Sequence, residues 1–68
     1  MQIRLSENIR AQRRRHGLTQ EQLAEALGMT PGAVYKWEAG LSQPELRTIM
    51  ELADFFDVSV DVLLGYKM

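Results

Sequence analysis

The sequence predicts an all-α domain of five short helices, with no strand, repeat, linker or low-complexity stretch. Three observations predict it. Apolar residues recur at three- and four-residue spacing along the chain, from Leu5 and Ile9 to Leu63 and Leu64. Glycines stand where these segments stop, at Gly17, Gly28, Gly40 and Gly65. Hydroxyl residues stand where the next ones start, at Thr19, Thr30, Ser42 and Ser59.

The first helix is predicted over residues 3–16. Leu5 and Ile9 face inward together. Arg13, Arg14 and Arg15 fill its last turn, where cations suit the negative end of the helix dipole. Arg14 and Arg15 are read as solvated charges. Arg13 lies four residues after Ile9, so its stem should approach the core, and Glu38 is the acid expected to pair with it. His16 is read as a helix-end residue of no special chemistry.

Residues 20–39 are predicted to form two helices joined by a tight turn. Leu23 and Leu27 mark the inner face of one, Val34 and Trp37 that of the other. Thr19 and Gln22 make a capping box for the first of the pair, with Leu18 packing ahead of it. Ala24 lets the two helices cross closely, and Gly28 supplies the left-handed residue that ends the first. Thr30 caps the second through its hydroxyl, and Pro31 follows at a position where its missing N–H costs nothing. A small residue, a glycine four places on and a branched apolar residue six places further form the packing skeleton of a helix-turn-helix. With Val34 and Trp37 turned inward, the outer face of the third helix carries Pro31, Gly32, Tyr35 and Lys36.

Ser42 with Glu45 predicts another capping box, with Pro44 early in a fourth helix over about 44–56. Its apolar stripe is Leu46, Ile49, Met50, Ala53 and Phe56, and Asp57 ends it. Ser59 caps a last helix over residues 60–64, and Gly65 stops it.

Composition narrows the function classes. Sixty-eight residues make one domain, which buries about 60% of its unfolded surface. With no cysteine and one histidine there is no metal site, and no cofactor is called for. No apolar run approaches the roughly 20 residues that span a bilayer. Polar residues directly after Met1 argue against a signal peptide, so a cytoplasmic protein, nucleoid-associated through DNA, is the expectation. An enzyme has little support: there is no glycine-rich phosphate loop and no inward-facing acid pair. The net charge of −1 hides an asymmetry. Residues 1–40 carry six basic groups against four acidic, and residues 41–68 two against five. The basic half holds the helix-turn-helix, which suits orientation on DNA.

Across residues 5–65 the chain resembles the Cro and lambdoid phage repressor class of helix-turn-helix domains, the Xre type. The resemblance rests on Gly17-Leu18-Thr19-Gln20-Glu21-Gln22-Leu23-Ala24, on Trp37-Glu38-Ala39-Gly40, and on Phe56 through Gly65. It implies a compact, five-helix, lambda-repressor-like DNA-binding domain with its motif at 20–39. It implies a sequence-specific transcriptional regulator, a repressor, reading the major groove of a palindromic operator as a homodimer. The residue corresponding to Gln20 grips a phosphate, those corresponding to Pro31, Gly32, Tyr35 and Lys36 face the bases, and those corresponding to Arg13 and Glu38 form a linking ion pair. The candidate DNA-contacting set is therefore Arg13, Thr19, Gln20, Thr30, Pro31, Gly32, Tyr35 and Lys36. Candidate dimer contacts are Val62, Leu64, Tyr66 and Met68. No small-molecule ligand and no membrane partner are implied.

Lys36 can donate to guanine O6 or N7, and Tyr35 can hydrogen-bond or lie along a phosphate. Pro31 and Gly32 offer no side-chain hydrogen bond but allow a close, apolar approach to a thymine methyl. They depart from the hydrogen-bonding residues frequent there in the family, and the loop at Gln43-Pro44-Glu45 has no arginine for a minor groove. Pairing of two half-sites would multiply a thin readout. A protein-interaction module such as an antitoxin is the alternative, favoured by the acidic second half.

Overall fold

The computed structural model describes residues 4–65. Five helices follow in order: α1 (Leu5–Arg15), α2 (Gln20–Ala26), α3 (Pro31–Glu38), α4 (Leu46–Phe56) and α5 (Val60–Leu64). No strand occurs among the described residues. One core holds them together, centred on the fully buried Ile9, Leu23, Val34, Leu52 and Leu63, with Trp37 and Phe56 closing it.

The α2–α3 pair is the most extensive helix contact, and the buried Ala24 lies within it. The turn between them has a definite chemistry. Gly28 takes φ +68°. Its N–H donates to the Glu25 carbonyl at 3.1 Å, and that of Met29 to Ala24 at 2.8 Å. This paired closure satisfies the last carbonyls of α2 and reverses the chain within a few residues. The same closure recurs after α4, where Asp57 occupies the left-handed position at φ 57°.

Both expected capping interactions of Thr19 and Gln22 are present: the Thr19 hydroxyl accepts from the Gln22 N–H at 3.0 Å, and Gln22 Oε1 accepts from the Thr19 N–H at 2.8 Å. Ser59 accepts from the Val62 N–H at 3.1 Å.

Several expectations are corrected. The first helix stops at Arg15, with His16 as its C-cap, and the third at Glu38, with Ala39 as its C-cap. Thr30 is the N-cap of α3 by its backbone, but its hydroxyl makes no capping bond. The Thr30 carbonyl takes the Ala33 N–H instead, at 3.0 Å. The Ser42–Glu45 box does not form, and α4 begins at Leu46 with Glu45 extended. Pro44 is itself buried and Glu45 after it is extended, so the chain stays open two residues longer. The α4 stripe is Ile49, Leu52, Ala53 and Phe56; Leu46 is 71% exposed and Met50 is also exposed. At about 100° per residue, Leu46 and Met50 sit on the shoulder of that stripe, roughly 60–100° round from Ile49.

Candidate nucleic-acid interface

The third helix presents two faces. Val34 and Trp37 are buried behind it, fixed by the core. Pro31, Gly32, Tyr35 and Lys36 are exposed in front, Tyr35 by 54%. A Pro-started helix with apolar residues three apart can stand only this way on the core, so the outward set follows from the inward one. Thr19 and Thr30 are exposed at the starts of α2 and α3.

Behind α3 lies a polar joint. Glu38, at the end of the helix, is buried. Arg13 Nε donates to its Oε2 at 2.6 Å and Arg13 Nη2 to its Oε1 at 2.9 Å. The third Arg13 nitrogen, Nη1, donates to the Leu18 carbonyl at 2.8 Å. Gln20 Nε2 donates to Glu38 Oε1 at 3.2 Å. A carboxylate only accepts, so this contact turns the Gln20 amide nitrogen inward and its oxygen away. Arg10 adds a longer bond, Nε to Oε1 at 3.4 Å, and reaches the Glu38 backbone carbonyl through Nη2 at 3.2 Å.

Burial would push the Glu38 carboxyl up. Hydrogen bonds from Arg13, Gln20 and Arg10, with the Arg13 charge, outweigh it and hold the group below its ordinary value. The hydrogen bond to Glu38 raises Arg13 in return. The joint is therefore a charged, fully hydrogen-bonded unit that ties α1, the turn before α2 and the end of α3 together.

The structure thus brings Arg13, Gln20 and Glu38 into one cluster and leaves Pro31, Gly32, Tyr35 and Lys36 on an open face. Arg10 belongs to the cluster and was not among the expected residues. Its signal was its spacing, since three residues before Arg13 is the same side of α1. Of the dimer candidates, Val62 is 51% exposed, Leu64 packs partly against the core, and Tyr66 and Met68 lie outside the described residues. Among the described residues no group of His, Asp or Glu side chains is placed to hold a metal ion. None of the described helices is long and apolar enough to cross a membrane.

Comparison with known proteins agrees with this geometry. A family profile described as helix-turn-helix matches residues 9–63. The uncharacterised HTH-type transcriptional regulator YobD of Bacillus subtilis is 41% identical over 59 residues, which cover 87% of this chain and 53% of that protein. The HTH-type transcriptional activator BcrR of Enterococcus faecalis is 37% identical over 63 residues, covering 93% of this chain and 31% of that protein. A crystal structure of a transcriptional regulator from Listeria innocua superposes with a TM-score of 0.92 at 31% identity, covering all of this chain and 64% of that one. The chain spans about a third to a half of the length of the two curated relatives just named. With a five-helix fold, a matched profile over most of its length and such relatives, the chain belongs to the Xre-type helix-turn-helix family of DNA-binding transcriptional regulators.

Proposed function

We propose that residues 5–65 form one domain that reads the major groove with α3 and acts as a homodimeric repressor on a palindromic operator. One observation carries this reading: the face of α3 bearing Pro31, Gly32, Tyr35 and Lys36 is exposed, while Val34 and Trp37 hold the helix from behind. A helix so presented fits the groove, with its first turn nearest the base edges. Lys36 donates to guanine O6 or N7, and Tyr35 contacts a base or a phosphate. Thr19, Gln20 and Thr30 line the phosphate side and set the register without reading sequence, while Arg13, expected there too, has its nitrogens on Glu38 and Leu18 and holds α3 in place from within. The second amide hydrogen of Gln20 remains to meet a phosphate oxygen, with Glu38 holding the first. Repression follows from occupying the promoter.

Selection of bound sites from random duplex DNA tests the reading. A two-fold symmetric site with half-sites about one helical turn apart is expected. An unsymmetric site would remove the homodimer, and recovery of no site would remove the DNA reading. A promoter fusion carrying the selected site should lose expression when the protein is present; a rise would make this chain an activator, the role in the name of the Enterococcus relative.

A further inference from the structure

Gly32 is the one glycine of the chain that the fold does not require. The other four all stand at positive φ. Gly32 is the second residue of α3 and lies outside that region. A Cβ built on it meets no heavy atom within 4 Å beyond its own helix backbone and chain neighbours. Alanine would fit, and glycine weakens a helix against alanine because it loses more backbone freedom on folding. A residue that weakens its own helix, with no packing reason inside the molecule, points to a neighbour outside it.

The surroundings say what kind. Gly32 is exposed on the outer face of α3, flanked by exposed Pro31, Met29, Tyr35 and Lys36. Neither Pro31 nor Gly32 carries a side-chain donor or acceptor. Apart from the Gly32 N–H, one of the free donors of the first turn of α3, whatever approaches them meets carbon. In a major groove the carbon surface that varies with sequence is the C5 methyl of thymine.

We propose that Gly32 is a specificity-determining position whose bare Cα admits a thymine methyl too close for any side chain. The inference rests on the DNA reading above and deepens it: one position of each half-site is read by proximity, without a hydrogen bond.

The test uses the duplex obtained by site selection, with binding followed by fluorescence anisotropy. Wild type, Gly32→Ala and Lys36→Ala are titrated with the natural duplex and with duplexes in which single thymines become deoxyuracil, which lacks only the methyl. Gly32→Ala should melt higher by roughly 2–8 °C. It should bind the natural duplex about 5- to 100-fold more weakly for each half-site, the range of one spoiled base contact. A thymine-to-uracil change in one half-site should weaken wild type by roughly fourfold, the worth of one buried methyl. The same change should leave Gly32→Ala nearly unaffected.

Unchanged affinity in Gly32→Ala overturns the inference, as does a lower melting temperature, which would give the glycine a reason inside the fold. Absence of any methyl that matters to wild type overturns it too. Lys36→Ala separates the two levels. If it weakens binding while Gly32→Ala does not, the close approach is wrong and the DNA reading stands. If neither variant differs from wild type, both fall together.

Discussion

Arg13 grips both carboxylate oxygens of Glu38, at 2.6 and 2.9 Å, and spends its remaining nitrogen on the Leu18 carbonyl. One side chain thereby joins three segments of a small domain. Its side chain is only 11% exposed and that of Glu38 1%, so the pair is shielded from water. Removing one partner leaves a charge buried with too few hydrogen bonds. Arg13→Ala should therefore cost about 3–5 kcal/mol. A core this small supplies about that much in total, so urea titration should find the variant largely unfolded without denaturant. A loss below 1 kcal/mol would mean the pair is not structural.

The acid limb of stability should report Glu38. Its folded pKa lies below its ordinary value, so its contribution is complete above the unfolded carboxyl range. That contribution fades as pH falls through about 4 and below. Urea midpoints measured from pH 6 to pH 3 should drop less steeply for Glu38→Gln than for wild type. Parallel curves would exclude Glu38 as a source of the acid sensitivity. Arg13, raised by the same contact, loses nothing over this range.

Arg10 offers a contrast within the same joint. Its side chain is 45% exposed and its bond to Glu38 is long, at 3.4 Å. Solvent screens such a pair, so Arg10→Ala should destabilise by about 1 kcal/mol or less. A loss as large as that from Arg13→Ala would give the two arginines equal structural weight.

Much of this was legible in the residues. Thr19 with Gln22, Gly28 and Asp57 each solve a local problem of chain termination, and local problems are visible in a linear sequence. The inward course of Arg13 followed from its spacing after Ile9, and Glu38 as its partner came with the family resemblance. The start of α4 was not legible, because Pro44 suits a first helical position and a buried bridge equally well, and only tertiary packing decides between them. The phase of α4 failed for a related reason: Leu46, Ile49, Leu52 and Met50 are all apolar, and the sequence does not say which shoulder the rest of the core will cover. Gln20 reads as a free amide at a helix start until the buried oxygen of Glu38 is placed beside it.

That phase can be checked directly. Leu52 is fully buried, so Leu52→Ala should cost about 2–5 kcal/mol. Leu46→Ala should stay within about 0.5 kcal/mol of wild type. Reversal of the two values in thermal melts would restore the stripe that includes Leu46.

Val62 tests the homodimer. It is exposed, so Val62→Glu should leave the melting temperature of the monomer nearly unchanged. It should lower affinity for a two-half-site duplex while sparing a single half-site. Equal loss on both duplexes would place Val62 outside the dimer contact.

The central claim is that the outward face of α3 reads DNA, and Lys36 is its one charged side chain among the described residues. Affinity of wild type and Lys36→Ala for the selected duplex, titrated over salt concentration, tests it most directly. Loss of about 1–3 kcal/mol of binding, with discrimination relaxed at one base pair, is the predicted result. Unchanged affinity and unchanged sequence preference would contradict it.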